Sequence, residues 1–309
     1  MDIKTVNERR ILMKTNEKEK QDWISRWKQR IKKNHPMLMT YYQFYQKMGY
    51  FCHLKHPRTL NEKIQYLKFF YYPNNSLIAQ CADKYAVRNY IREKGLENLL
   101  VPFIGFWENA EEVDFDSLPD SFVLKCNHGS GYNILCPDKS KFDKVKWGGV
   151  LREWMADDFS IRCSELQYKN IPRKIIAEKY LGEEIFDYKF FCLNGRPEFL
   201  YISQEIPDTN GLLKCCFWDV DGKPAEFKRT DEYFFEEGNY PELPQNFEEM
   251  KRIAAVLAED FPFVRVDLFE VNGKIYFSEL TFTPAAGMMP LSPKEWDRKL
   301  GNMLKLDIR

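Results

Sequence analysis

A strand–turn–strand segment at residues 263–281 carries the residue types with the most specific chemistry in the chain. Its first strand includes Arg265 and Asp267, and its second includes Glu279 and Thr281. Acidic side chains are disfavoured within apolar strands unless a partner neutralises them. A divalent cation shared by the two carboxylates would do so, and Thr281, two residues beyond Glu279, projects from the same strand face.

The register of this hairpin decides whether the acids can meet. If Asn272-Gly273 is a strict two-residue loop, Asp267 and Glu279 lie on opposite faces. If the loop begins one residue earlier, with Gly273 in the left-handed conformation, the acids share a face and Arg265 lies opposite Glu279. The metal interpretation requires this second register. The alternative is a hairpin in which Arg265 and Glu279 form only a cross-strand ion pair.

Composition excludes several classes of protein. The chain has 309 residues, enough for a large core, and its 46 Lys+Arg equal its 46 Asp+Glu, so no net charge indicates a nucleic-acid partner. The eight cysteines include no C-x-x-C pair. No apolar run approaches the ~18 residues that indicate a membrane span. Reduced thiols and a cytoplasmic location are therefore expected.

The first third of the sequence reads as helical. Residues 17–33 place two tryptophans and two isoleucines on one stripe, and residues 1–33 hold 11 Lys/Arg against 5 Asp/Glu. A basic helix with an aromatic stripe can lie on the inner face of an anionic membrane, which would make the protein peripheral, or it can pack on the body of the protein.

Two further helices have recognisable boundaries. Residues 60–71 form an amphipathic pattern with Thr59 or Asn61 available as the N-cap. A third helix is expected to start after Asp83 as its cap and to stop at Gly95.

Strand patterns dominate the rest of the chain. The predicted strands are residues 99–106, 122–125, 133–136, 175–181, 187–193, 197–203 and 215–220, and a long helix at 246–260 leads into the hairpin. This mixture of helices and strands predicts an α/β (α+β) fold.

A glycine-rich loop, His128-Gly129-Ser130-Gly131, separates two predicted strands. Glycines that flank a serine allow backbone N–H groups to wrap phosphate oxygens, although ordinary turns share this composition. Lys125 at the end of the preceding strand would bring an ammonium to the same anion. His128 has two interpretations, a general base or a turn histidine that is hydrogen-bonded locally.

Together these segments resemble the ATP-grasp superfamily and, within it, the TupA-like (teichuronopeptide biosynthesis) family. The resemblance covers roughly residues 60–305. It rests on the order and spacing of residues 81–85 with Arg88, 122–131, 187–195, 264–267 and 277–287. It implies an ATP-grasp fold with a helical N-terminal extension.

The resemblance also implies a division of the chain and a set of nucleotide contacts. The implied units are a helical extension at 1–75, an N-terminal part of the ATP-grasp unit at 76–120, an ATP-binding lid at 121–190 and a C-terminal subdomain with the metal site at 191–309. The residues implied to bind ATP are Lys84, Lys125, Gly129, Ser130, Gly131, Glu178, Lys179, Leu181, Asp187 and Lys189. In this set the lysines at 84 and 125 hold phosphates, and residues 178–181 offer backbone groups to adenine.

The cofactors implied are ATP and Mg²⁺. Asp267 and Glu279 look like the Mg²⁺ ligands, and Arg265 would stabilise negative charge on the transferred phosphoryl group. Many ATP-grasp enzymes carry Asn two residues after the second acid, and this chain has Thr281, whose hydroxyl is a weaker ligand. His128 remains the candidate base beside the loop.

The reaction implied is two-step ligation through an acyl phosphate. A substrate carboxylate attacks the γ-phosphate of ATP, and an amine then attacks the carbonyl to form an amide. The family points to cell-surface polysaccharide or teichuronopeptide assembly, such as joining an amino acid to a uronic acid. The alternatives are a saccharide phosphotransferase with the same nucleotide site and a non-catalytic nucleotide-binding component of a glycan-synthesis complex.

Overall fold

The structure is a computed structural model that describes residue 28 and residues 30–182, 185–205, 212–236 and 238–306. Most of the predicted basic helix at 17–33 lies outside the described residues. Within the part that is described, no helix is long and apolar enough to cross a membrane.

Helices precede the first strand, and strands dominate the rest of the chain. The helices are α1 (Pro36–Met48), α2 (Leu60–Tyr66), α3 (Ser76–Ala82), α4 (Val87–Glu93), α5 (Lys144–Ala156), α6 (Phe159–Arg162), α7 (Phe247–Ala258) and α8 (Glu295–Met303). The strands are β1 (Phe103–Trp107), β2 (Phe122–Cys126), β3 (Asn133–Cys136), β4 (Ile175–Lys179), β5 (Asp187–Leu193), β6 (Arg196–Glu205), β7 (Leu213–Asp219), β8 (Lys228–Arg229), β9 (Tyr233–Phe234), β10 (Phe263–Val271), β11 (Lys274–Thr281) and β12 (Leu291–Ser292). The predicted α+β class is confirmed.

The strands form two main sheets. A four-stranded antiparallel sheet has the order β1-β4-β2-β3, and a six-stranded sheet has the order β11-β10-β5-β6-β7-β9. Only the β7–β9 pair of the larger sheet is parallel. The implied division into four units stays a prediction. Strand β1 pairs with β4 in the small sheet, and β5, which spans residue 190, lies in the large sheet between β10 and β6.

Helix α7 covers the large sheet because its apolar residues recur at helical spacing. Met250, Ile253 and Leu257 are fully buried and belong to the cluster that includes the sheet's inward side chains. A separate cluster lies on the small sheet and includes Leu151 of α5 and Phe159 of α6. Each sheet thus has its own core, and strand ends of both sheets face a common cleft.

Two helix starts show how local chemistry sets boundaries. The predicted helix at 60–71 is observed as α2 and a following π-helical turn, Leu67–Tyr71. Thr59 is its cap and forms a capping box with Glu62. The third predicted helix starts later than expected, at Val87, because the carboxylate of Asp83 accepts the N–H groups of a turn before the helix begins.

Candidate active site

The turn of the β10–β11 hairpin is a strict two-residue loop. Val271 pairs with Lys274, and Asn272 and Gly273 both have positive φ, 52° and 72°. This is the conformation that Asn-Gly favours in hairpins because neither residue pays a large steric cost there. The predicted three-residue loop is wrong.

A β-bulge nevertheless brings the two acids together. Leu268 pairs with Phe277, but the next pair is Asp267 with Glu279, so Ser278 is an extra residue with no partner of its own. One inserted residue shifts every later side chain of the strand by one face. The acids therefore lie directly opposite each other, as the metal interpretation requires. A bulge in β11 brings them together, not a longer loop.

Arg265 links the acids of the hairpin. Its Nε and Nη2 donate to the two carboxylate oxygens of Asp267 at 2.7 and 2.6 Å, and Nη2 lies 3.3 Å from Oε1 of Glu279. Nη2 also donates to the Thr281 hydroxyl at 3.0 Å, which in turn donates to Glu279 at 3.0 Å. Arg265 pairs with Thr281 across the strands rather than with Glu279. The two acids share a face of the hairpin, and Arg265 also forms a cross-strand ion pair with Glu279. The two alternatives for this hairpin are therefore both present.

A second cation reaches Asp267 from the neighbouring strand. Lys189 on β5 pairs with Asp267, and its Nζ lies 3.8 Å from Oδ2 of that residue. The same ammonium forms an ion pair with Asp187. The side chain of Asp267 is only 2% exposed. Charged groups buried to this degree are stable only in such a network.

Burial and these cations move the two carboxyl pKa values in opposite directions. Burial raises the pKa of Asp267 to about 6, against the opposing effects of Arg265 and Lys189. Burial also raises the pKa of Glu279, but the positive charges of Lys84, Arg265 and Lys189 outweigh this effect and lower the pKa to about 2. Both values lie below 7, so both side chains are carboxylates at neutral pH.

The oxygen ligands of this cluster suit Mg²⁺, although they differ in how many other contacts they already make. Both oxygens of Asp267 accept from Arg265, whereas Glu279 is 29% exposed at its side chain. In the described part of the chain no group of three or more His, Cys, Asp or Glu residues could hold a metal without help. Mg²⁺ commonly takes one or two carboxylates and completes its shell with phosphates and water. Asp267, Glu279 and Thr281 fit that pattern.

Glu178 holds two cations at the other side of the cleft. Its Oε1 accepts from Arg88 of α4 at 2.8 Å, and its Oε2 accepts from Lys125 of β2 at 2.8 Å. Arg88 also donates to the carbonyl of Val101 at 3.1 Å. The Glu178 side chain therefore positions Lys125. Arg88 has no role predicted from the sequence, although it lies within one of the segments that carry the resemblance.

The glycine loop is closely packed and tied to a lysine. A Cβ on Gly129 would lie 2.7 Å from the ring of Tyr132 and 2.8 Å from that of Phe159. The ammonium of Lys84 donates to the carbonyl of Gly129 and lies 3.7 Å from Glu279. Lys84 thus connects the loop to the hairpin acids, at the place where the phosphate interpretation needs a cation.

His128 fits the local, structural interpretation better than the catalytic one. The residue is 3% exposed, and its Nε2 donates to the carbonyl of Trp154 at 3.1 Å. Burial lowers the pKa of His128 and so favours its neutral ring. It is absent from the residues that line either cavity described below.

A cleft between the two sheets collects most of the predicted nucleotide residues. The predicted residues that line it are Lys84, Lys125, Ser130, Gly131, Glu178, Lys179, Leu181, Asp187, Asp267 and Glu279. Apolar walls come from Val101, Val123, Leu135 and Phe269. An apolar slot with lysines and carboxylates at one end suits a nucleotide, with its base in the slot and its phosphates at the charged end. Gly129 and Lys189 do not line this nucleotide cleft but contact residues that do: Lys84 donates to the Gly129 carbonyl, and Lys189 forms ion pairs with Asp187 and Asp267.

A second cavity adjoins the nucleotide cleft. Ser130 and Glu279 line both, and Arg265 and Thr281 line the second. Its other polar residues are Tyr42, Gln43, Gln46 and Lys47 of α1, together with Glu165, Tyr168 and Thr283. None of these residues was predicted from the sequence: only Thr283 lies in a segment that carries the resemblance, and α1 reaches the cavity only through the tertiary fold. We call this space the acceptor cavity.

Comparison with solved structures finds ligases at low similarity. D-alanine–D-alanine ligase from Bacillus anthracis complexed with ATP has 16% identity and a TM-score of 0.40, covering 66% of this chain and 55% of that one. The enzyme from Helicobacter pylori has 13% identity and a TM-score of 0.42, covering 80% and 69%. An L-amino acid ligase from Bacillus licheniformis has 15% identity and a TM-score of 0.40, covering 74% and 48%. This chain therefore spans just over half the length of the first of these ligases.

The similarities to solved structures are weak, so the family of this chain is identified from the family model. No curated protein matches the chain. The model of a family described as TupA-like ATP-grasp matches residues 62–305, which includes every predicted site residue. This match confirms the resemblance on which the site assignment rests: the chain belongs to the TupA-like ATP-grasp family.

Proposed function

We propose that this protein is an ATP-dependent, ADP-forming ligase that joins a carboxylate to an amine through an acyl phosphate. The observation that carries the proposal is the junction of the two cavities at Ser130 and Glu279, with Arg265 beside it. A carboxylate in the acceptor cavity would there meet the terminal phosphate of a nucleotide in the cleft. Phosphoryl transfer needs mainly this positioning and neutralisation of charge.

Each charged group has a defined part in this scheme. Lys84 and Lys125 bind phosphate oxygens, and the 129–131 loop covers them. Asp267 and Glu279 hold Mg²⁺, which neutralises phosphate charge when bound. Arg265 stabilises the oxygens on which negative charge grows during transfer and during the later attack on the acyl phosphate.

The substrate carboxylate displaces ADP from the γ-phosphorus, so that its oxygen becomes bonded to phosphorus. The amine then attacks the carbonyl carbon, phosphate leaves, and the amine nitrogen loses its proton as the amide forms. No Cys-His or Ser-His pair is required by this route, and the cavity residues include none.

Family membership supports a more specific setting. We place the reaction in the synthesis of a bacterial cell-surface polysaccharide or teichuronopeptide, with an amino acid joined to a uronic acid. The enzyme would act in the cytoplasm, and the basic segment before residue 34 would allow contact with the inner face of the membrane.

Product analysis with a trapping nucleophile tests the ligase. Purified protein is incubated with ATP, Mg²⁺ and a panel of uronic acids, with and without amino acids, and hydroxylamine is added to intercept an acyl phosphate as a hydroxamate. We expect hydroxamate and ADP with the correct uronic acid, and amide, ADP and free phosphate when the correct amino acid is present. Reactions that lack the carboxylate are the control.

Two results would contradict the proposal. Phosphate that stays on the saccharide after the reaction would identify a phosphotransferase. Tight ATP binding without ADP formation across the panel would favour a non-catalytic nucleotide-binding component.

A further inference from the structure

An unassigned acid lies in the wall of the acceptor cavity. Glu165 follows α6 and is 8% exposed. The Thr283 hydroxyl donates to its Oε1, and Gln167 donates to that hydroxyl at 2.8 Å. This chain of hydrogen bonds fixes one carboxylate oxygen in place. Burial raises the pKa of Glu165, as expected for a carboxylate with little solvent around it.

Glu165 has no direct cationic partner among the described residues, since no Lys or Arg nitrogen there lies within 4.0 Å of it. The charge of the buried Lys68 lowers the pKa of Glu165, but its ammonium makes its hydrogen bonds to the carbonyls of Cys163 at 2.9 Å and Ala286 at 3.3 Å. A buried carboxylate without a contacting counter-ion is costly. The cavity in front of it is where a cation could relieve that cost.

One hydrogen-bond acceptor of the same cavity lacks a donor. The side-chain oxygen of Gln43 on α1 is buried and has no hydrogen-bond partner in the described part of the chain. The other acid of the cavity, Glu279, is already bound by Arg265 and Thr281. Glu165 and Gln43 both line the cavity, one with a carboxylate and the other with an unpaired acceptor, so the complementary ligand is a cation with several N–H donors.

We infer that Glu165 binds the ammonium group of the amine co-substrate, with Gln43 accepting a second N–H from it. This inference rests on the proposed ligase function, because a phosphotransferase needs no amine substrate. An ammonium satisfies both acceptors at once, whereas a hydroxyl carries one donor and no charge. Before the amine attacks, the bound ammonium passes one proton to the Glu165 carboxylate, and the leaving phosphate takes the second proton as the amide forms. Glu165 is thus assigned as the residue that selects an amine over other nucleophiles.

Binding measurements test this without turnover. Wild-type protein saturated with a non-hydrolysable ATP analogue and Mg²⁺ is titrated calorimetrically with amino acids and with the hydroxy acids of the same shape: glycine and glycolate, alanine and lactate, serine and glycerate. We expect at least one amino acid to bind ~10-fold or more tightly than its hydroxy counterpart, the magnitude of a charge-assisted hydrogen bond. Glu165→Gln keeps an acceptor for Thr283 and should abolish that preference.

Controls separate loss of charge from damage to the fold. Glu198→Gln changes a partly buried acid outside both cavities and should leave the preference intact. Affinity for the ATP analogue should stay unchanged in both variants. If Glu165→Gln does not fold, Gln43→Met provides the second test and should weaken the preference by removing the other acceptor.

Two outcomes overturn the inference: wild-type protein that binds no amino acid better than its hydroxy counterpart, or a folded Glu165→Gln variant that keeps the full preference. Failure of the ligase proposal is seen separately, as absence of hydroxamate from wild-type protein. Hydroxylamine is largely uncharged at neutral pH, so Glu165→Gln should still form hydroxamate while it loses amide formation.

Discussion

Individual side chains in the nucleotide cleft are held by their neighbours before any ligand arrives. Glu178 accepts from both Lys125 and Arg88, and its side chain is 9% exposed. Lys125 is 18% exposed and lines the cleft. The carboxylate limits the positions that the ammonium can adopt, so less conformational entropy is lost when phosphate binds.

Lys125 should therefore contribute directly to ATP affinity. The variant Lys125→Met removes the ammonium and keeps an unbranched apolar side chain, while Arg88 remains to pair with Glu178. We expect ATP affinity to fall by ~10-fold or more, since a charge-assisted hydrogen bond contributes about 1.5–3 kcal/mol. Titration calorimetry with Mg·ATP measures this change.

Lys174→Met is the matched control for this variant. Lys174 has a similar exposure, 17%, and pairs with Glu108 outside both cavities. Its loss should leave ATP affinity unchanged. Equal ATP affinities for the two variants would contradict the assignment of Lys125 to the phosphate site.

At the scale of an element, the loop between β2 and β3 is held in place by its neighbours, as the Lys125 side chain is held by Glu178. Gly129 is required by space, since a Cβ there would meet the rings of Tyr132 and Phe159 at less than 3 Å. Tyr132 is 1% and Phe159 7% exposed, so neither ring can move aside easily. The ring packing holds the loop against the small sheet.

Gly129→Ala should accordingly destabilise the protein by about 1–3 kcal/mol, the usual cost of overpacking a buried site. Chemical denaturation measures the free energy of unfolding. Gly105→Ala in β1 of the same sheet is the control, because its Cβ would make only ordinary contact at 3.5 Å with Trp107. Similar stabilities for the two variants would show that the loop relaxes to accept a side chain.

At the scale of the whole molecule, the segment before the family-matched region docks on the last helix. Tyr50 donates to Asp297 of α8 at 2.8 Å, and Asp297 accepts the Asn61 N–H at 3.0 Å. Lys63 donates to the carbonyls of Gly301 and Leu304 at the end of α8, at 2.7 and 2.6 Å. A cation at a helix C-terminus is favourable. This contact joins residues 50–63 to the C-terminal helix α8.

The contact leaves no room for a side chain at Gly301. Its Cβ would lie 2.3 Å from the carbonyl oxygen of Arg58 and 2.6 Å from the carbonyl carbon of Thr59, both backbone atoms. Gly301→Ala should lower the free energy of unfolding by about 1–3 kcal/mol or more. Gly149→Ala, inside α5 with no atom closer than 3.9 Å, should instead raise it by about 0.5–1 kcal/mol. If Gly301→Ala is as stable as Gly149→Ala, the docking is not tight in solution.

The sequence by itself determined most of the elements and most of the residues that line the cleft between the sheets. The β5 pattern, the α2 cap at Thr59 and the hairpin over residues 263–281 depend on periodicity and turn chemistry, which act over a few neighbouring residues. Lys125 and the 128–131 loop were found because a strand end and a glycine-rich loop are adjacent in the chain. Local rules suffice for such features.

Only the tertiary structure decided which of these residues meet. The bulge at Ser278 depends on how β11 pairs with β10, and one unpaired residue leaves no mark on the strand pattern. The pairing of Glu178 with Arg88 and the approach of Gln43 and Glu165 to one cavity join residues about 90 and 120 positions apart. Contacts at that separation arise from packing of the two sheets and α1, and periodicity within a short window carries no information about them.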